Sequence, residues 1–382
     1  MGARQISLCL LALVLALAGC GRDPEPSRES VEVVRLGCLV PASGPLAEAG
    51  AVFREALAAR VLAANREGPG GRRLELVVAD QESLQSAVRE LAGAQVVAVV
   101  GAFGAQAAEA AAGLLAARRI PLVFPVSGLT RLQEPTQRWV FPVRPTYTRD
   151  GRALAGYAIS RLGAKHLAVI YEESDLGREG LAGIKAVVAE RQGIGLTAVG
   201  IKPGQSGFGD AVRQVKETGP QAVIIYTSFV PATLIARELS RQRVEGRRLT
   251  SYFNLDPLGL ELAGEAWNGM IMLRWLPEIY TVDERVQECL RGVPGVERHP
   301  SYALMGFLAG EILDGALRRV VGEVTDSRMR DALESLGFLP TAVGCTVGYS
   351  ADGHRGITAV EVVRVNNGIY QTLENEWPLW VP

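Results

Sequence analysis

The 382-residue chain is poor in the residue types that carry chemistry. It has three histidines, His166, His299 and His354, and no Cys-x-x-Cys pair, so a structural or catalytic metal site is not expected. Lysine is confined to Lys165, Lys185, Lys202 and Lys216, and the net charge is only −1. No stretch is strongly basic, which argues against nucleic acid as a partner. No Gly-x-x-x-x-Gly-Lys-Ser/Thr phosphate loop occurs. "GVPGVE" reads as a turn because no strand feeds it and no helix starts with it. "PVSGL" lacks the spacing of a nucleophile elbow, and no histidine sits where a Ser-His-acid set could be argued. Neither catalysis nor a cofactor is expected.

What is present begins with a targeting device. Arg4 supplies a positive start and "ISLCLLALVLALAG" an apolar run of signal-peptide length, short for a membrane span. It closes on Leu17, Ala18 and Gly19 before Cys20, which resembles the bacterial lipobox, whose cysteine is acylated after cleavage. An ordinary secretory signal with a chance cysteine is the alternative. The polar "GRDPEPSRES" that follows suits a tether. Acyl chains contribute ~0.8 kcal/mol per buried methylene, and more than one gives a lasting anchor. The mature protein is therefore expected to be exported to the cell envelope and lipid-anchored, with the choice of membrane open. Cys38, Cys289 and Cys345 would remain, an odd set that cannot all pair within one chain. Cys38 and Cys345 lie in strand-like apolar runs and read as buried thiols.

The body alternates short β-rich runs with amphipathic stretches. "EVVRLGCLVP" leads to "AEAGAVFREALAARVLAANR", "RLELVVAD" to "SLQSAVRELAG", and "VVAVVG" to "AQAAEAAAGLLAA". After a break near Pro145 the rhythm restarts through "HLAVIYEES", "QAVIIYTSF" and "RLTSYFN". Such alternation implies βαβ units, parallel sheets and helices on both faces. Two runs of it give an α/β chain of two Rossmann-like, doubly wound lobes, with ligand-facing loops at the carboxyl ends of the strands. "TAVGCTVGYSADGHRGITAVEVVRVNNGIYQTL" reads as strand, turn and a β-hairpin with Asn366-Asn367-Gly368 at its tip.

The order of these pieces, from the Ser-Gly-Pro loop of "RLGCLVPASGPLAEAG" through "VVGAFGAQAAEAAAGLLAARRIPLVFPVSG" and "LAVIYEESDLGREGLAG" to "GYSADGHRG", resembles a family. It is that of the extracytoplasmic solute-binding proteins serving ABC importers of branched-chain amino acids, the type I periplasmic-binding fold. The resemblance spans most of residues 33–373. It implies a three-segment hinge, with crossovers near Pro142–Pro145, Pro277–Tyr280 and Gly344–Tyr349, and closure on ligand. The implied segments are 1–19 signal peptide and 20–32 lipidated tether. Residues 33–143 plus 279–345 would form the first lobe, and 144–278 plus 346–382 the second.

That family holds a carboxylate with helix N-terminal amides and hydroxyls, and an ammonium group with an acid and aromatics. Carried over by position, the site residues are Ala49, Gly104, Ala105, Gln106, Ser127, Gly128, Leu176, Phe229 and Asn254, with Asp256 two residues beyond. The departures are large: Ala49 and Leu176 stand where aromatics are usual, Ala105 for Ser, Gly128 for Thr and Asn254 for Glu. No Ser, Thr, Lys or Arg lies between Gly101 and Gly113, so only backbone amides face an anion there. Ala105 is either a pocket wall or a helix former at a packed junction. Each lost partner of a buried charge costs ~1–3 kcal/mol, so tight zwitterion binding is not expected. The resemblance implies a monomer that delivers a small acid or amide, rather than a standard branched-chain amino acid, to a membrane permease. The same fold can also serve as a sensor or scaffold.

If Cys20 is acylated, Cys20→Ala should release the protein to the soluble extracytoplasmic fraction or leave an unprocessed precursor. Detergent-phase partitioning unchanged by the substitution would remove the anchor.

Overall fold

The computed structural model describes residues 31–254 and 257–379. The expected signal peptide, Cys20, Asp256 and Trp380 lie outside them. No helix among the described residues is long and apolar enough to cross a membrane.

The first run comprises β1 (Val33–Val40), α1 (Ala47–Glu67), β2 (Arg73–Asp80), α2 (Leu84–Gly93), β3 (Ala98–Gly101), α3 (Ala105–Ala116), β4 (Leu122–Val123) and β5 (Val140–Phe141). Its strands form a parallel sheet in the order β2-β1-β3-β4-β5. β1 and β3 are apolar on both faces, as strands covered by helices on both sides must be. The second run is α4 (Tyr147–Ser160), β6 (His166–Glu172), α5 (Asp175–Ala189), β7 (Gly195–Ile201), α6 (Gly209–Glu217), β8 (Ala222–Tyr226), α7 (Phe229–Arg241), β9 (Arg247–Thr250), α8 (Pro257–Ala263) and β10 (Ile271–Arg274).

The chain then returns through α9 (Glu284–Leu290), α10 (Pro300–Leu317) and α11 (Asp326–Glu334). Three short strands follow, β11 (Gly337–Pro340), β12 (Thr346–Ser350) and β13 (Gly353–Ile357), which pair with one another antiparallel. Finally β14 (Ala359–Asn366) and β15 (Ile369–Pro378) form the expected hairpin. Its tip has Asn367 and Gly368 at φ 51° and 76°, the left-handed pair that Asn-Gly tolerates best. β14 adds antiparallel to β10, completing a second sheet in the order β15-β14-β10-β9-β8-β6-β7.

α10 packs on α1 in the first lobe, with the buried ion pair Arg60–Asp314 (2.7 Å) between them. β12 and β13 also sit against the first sheet. The Tyr349 hydroxyl donates to Phe141 and Pro142 carbonyls, and the His354 ring stacks on Phe141 at 4.0 Å. The crossing into the second sheet therefore falls between Ile357 and Ala359, later than the expected boundary at 345/346. The reason is nonlocal: β12 and β13 reach partners about two hundred positions earlier in the chain. Trp377 packs the end of the chain onto the second lobe, donating from Nε1 to the Ala153 carbonyl at 3.2 Å. Cys38 is buried and its thiol pushed up to about 12 by desolvation; Cys38, Cys289 and Cys345 are all free.

Helices α4 and α5 approach so closely that glycine is required between them. A Cβ on Gly151 would lie 2.1 Å from the Gly180 carbonyl oxygen, and one on Gly183 2.0 Å from that of Thr148. Gly151→Ala should force the helices apart, costing about 1–3 kcal/mol, the usual overpacking range. Urea unfolding reads this; an unchanged midpoint would show that the helices slide freely.

Candidate ligand-binding cleft

The junction after β3 is built from backbone constraints. Gly101 has φ 98°, and a Cβ there would strike the Leu39 carbonyl oxygen at 2.3 Å. Gln81 clamps the loop, donating to the Phe103 carbonyl (3.1 Å) and accepting from the Phe103 amide (2.7 Å). The Gly104 amide is used on the Val126 carbonyl at 3.1 Å, so the amides left without intrahelical partners begin at Ala105. Ala105 is half-buried and the Gln106 side chain exposed.

The neighbouring loop does not face open space. Ser127 is buried, and its Oγ accepts from the Leu129 amide at 3.3 Å, a local turn bond. Gly128 lies under two aromatic rings of the second lobe: a Cβ would meet Tyr147 Cε1 at 2.6 Å and the Tyr252 hydroxyl at 2.7 Å. Just beyond, the Thr130 amide and hydroxyl both donate to Glu179 at 2.8 Å. Arg131 reaches Glu109, Asp175 (3.2 Å) and Glu179 (3.6 Å). Leu176 packs into the apolar clusters of both lobes. Asn254 is fully buried and donates to the Thr227 carbonyl (3.0 Å) and Thr250 hydroxyl (2.9 Å), while its Oδ1 has no partner. Of the expected contacts, Ser127, Gly128 and Leu176 thus lie on a face where the lobes meet, while beside it Gly104 and Ala105 are half-buried and Gln106 is exposed. Asn254 has turned into the second lobe.

Space opens instead closer to the crossovers. A cavity of about 340 Å³ lies at the carboxyl ends of β1, β8 and β9. The first lobe contributes Pro45, Leu46, Ala49, Tyr302 and Met305; the second contributes Phe229, Val230, Tyr252 and Phe253. The crossovers close it with Arg144, Trp275 and Leu276. Ala49 and Phe229 are the expected site residues that the structure brings together here. Phe229 also packs edge-on against Trp267.

Two arginines reach the cavity and differ sharply. Arg274 is saturated, with Glu278 at 2.6 Å and Glu361 at 2.7 Å. Arg144 is only 8% exposed, its Nε has no hydrogen-bond partner, and among the described residues no carboxylate pairs with it. Its guanidinium lies 5.2 Å from the centre of the Tyr252 ring, a cation–π contact. Sequence reasoning passed over Arg144. The available signal was an arginine in the otherwise apolar, proline-flanked "FPVRP".

One parallel and one largely parallel sheet with helices, and a cavity bounded by both lobes and by the connections between them, define a bilobal binding protein. The chain belongs to the periplasmic binding protein family, whose model matches residues 33–369. An ABC transporter substrate-binding protein from Sphaerobacter thermophilus shares the fold with a TM-score of 0.78 and 20% identity, over 91% of this chain and 98% of its own. A fatty acid ABC transporter substrate-binding protein from Thermomonospora curvata gives 0.74 and 18%, over 91% and 92%. The branched-chain amino acid transporter substrate binding protein LivJ from Streptococcus pneumoniae, solved with isoleucine, gives 0.74 and 18%, over 90% and 100%. At these identities the likeness is one of fold. No curated protein matches the chain.

Behind Arg144 lies Asp150, fully buried beside Ser251, Tyr226 and Tyr252, with neither oxygen in good hydrogen-bond geometry. Burial pushes its pKa up to about 7, and those neighbours with Arg144 offset only part of that. In an unfolded chain the value is about 3.9. A carboxyl raised on folding is stabilising while neutral, so its contribution is complete below pH ~4 and is lost as pH rises through ~7. Asp150→Asn should therefore gain stability relative to the parent across that window and hold the gain above it. Denaturant unfolding against pH measures this; a pH-independent difference would mean that Asp150 titrates as an exposed carboxyl.

Proposed function

We propose that this chain is the solute-capturing component of an ABC importer, lipid-anchored at Cys20 in the cell envelope and acting as a monomer beside a membrane permease. Its ligand is a small acid or amide other than a standard branched-chain amino acid. The observation that carries this reading is the apolar cavity at the lobe junction, set apart from the closed face around Ser127 and Gly128. The groups that would grip an α-amino acid are absent or packed away: Gly128 lies under Tyr147, Leu176 is in the apolar seam, and Asn254 bonds within its own lobe. The relatives named for a fatty acid and for branched-chain amino acids support acids as ligands the fold accommodates.

A second reading, a sensor or scaffold without transport, draws on the ties of Thr130 and Arg131 to Glu179 and Asp175, which join the two lobes directly. Solution scattering separates the two. Capture requires a shape that changes with ligand, whereas one ligand-insensitive closed shape favours the scaffold.

A thermal-shift screen on protein refolded to strip bound solute tests capture, since a ligand at 100 times its Kd adds ~2.7 kcal/mol. Ala49→Trp should abolish the response by filling the cavity, and Ala105→Trp should leave it. The opposite pattern would return the site to the amides of α3. Leucine binding tighter than ~10 µM by calorimetry would show that the missing zwitterion partners were replaced.

A further inference from the structure

We infer that the cavity beside Arg144 seats a monocarboxylate with an apolar body and no ammonium group, its carboxylate on the Arg144 guanidinium; this rests on the solute-capture reading. A cation removed from water is costly unless an anion compensates it; Arg144 forms no ion pair among the described residues and its Nε is unpartnered, the buried Asp150 behind it acting only at a distance, on the side away from the cavity. Its planar fork offers the two-point geometry that a carboxylate matches. The other permanent charge bordering the cavity is already matched. Arg274, the other arginine there, is bound by Glu278 and Glu361. One guanidinium without an ion pair therefore faces the cavity, which fits a monoanion better than a phosphate or a dicarboxylate.

The remaining walls decide the rest of the molecule. Leu46, Phe229, Phe253, Trp275 and Met305 are apolar, and no Asp or Glu is among the described residues lining the space. An α-ammonium group would be stripped of water there and meet no anion, with Arg144 as a like charge. A neutral amide would leave the guanidinium without an ion pair. The volume of about 340 Å³ is at the lower end of the roughly 300–1,000 Å³ usual for ligand pockets, which suits a branched, aromatic or medium-chain acid.

The test is calorimetry on the full-length protein in detergent, stripped of solute by refolding, with ligands matched in skeleton. 4-Methylpentanoate is compared with leucine and with 4-methylpentanamide, and 3-phenylpropionate with phenylalanine and with 3-phenylpropanamide. In at least one series the acid should bind at least ~10-fold more tightly than both relatives, the range of one charge-assisted hydrogen bond. Arg144→Met should bring the acid-to-amide ratio near one, and Arg144→Lys should restore part of it. An amino acid or amide that equals its acid overturns the inference, as does a ratio unchanged in Arg144→Met. If Arg144→Met does not fold, the ratio in the unaltered protein still decides. Binding of some other solute without any of these acids defeats this inference and leaves capture standing. No response to any solute class defeats capture itself.

Discussion

The first crossover between the lobes is held by its own backbone, and the position of the cavity follows from that. Every carbonyl from Phe141 to Pro145 accepts a hydrogen bond. Phe141 accepts from the Phe124 amide, Pro142 from the Tyr349 hydroxyl, and Val143 from the Ile357 amide. Arg144 accepts from Gln133, and Pro145 from the Tyr252 hydroxyl at 2.9 Å. The donors come from the first lobe, the β12–β13 region and the second lobe. With so many partners the segment cannot rotate without breaking several bonds at once. The Arg144 side chain is consequently presented from a rigid mount, and relative motion of the lobes must be taken up around it.

The same clamping explains which parts of the molecule were legible in the sequence. Runs such as "RLELVVAD" and "QAVIIY" announce buried parallel strands because β-branched and apolar residues repeat without interruption. The Asn-Gly tip of the last hairpin is a local turn signal and was equally readable. The lobe to which β12 and β13 belong was not, since their ties to Phe141, Pro142 and Val143 are set by contacts distant in sequence. The site divides in the same way. Ala49 and Phe229, carried over from the family by position, line the cavity. Gly128 does not, because what covers it is Tyr147 and Tyr252 from the other lobe. Arg144 is the extreme case: nothing local in "FPVRP" states that its guanidinium is buried without an ion-pair partner.

These contacts also bear on how the two lobes can part and close. The ties at the mouth are weak ones. Arg131 is partly exposed, and ion pairs at the surface are worth about 0–1 kcal/mol each. The Thr130–Glu179 bonds add neutral-to-charged hydrogen bonds that water can replace on opening. The closed arrangement is therefore held lightly at the face around Ser127 and firmly at the crossover. A solute can shift such an equilibrium only by what it gains in one form over the other. A ligand confined to the first lobe would gain nothing from closure. One in the cavity touches Ala49 and Met305 from one lobe and Phe229 and Phe253 from the other, so most of its apolar contact exists only when both are present. Arg144 adds a charge whose attraction strengthens as closure excludes water. Closure and capture are then two descriptions of one free-energy difference, generated by a rigid cationic mount between two apolar walls.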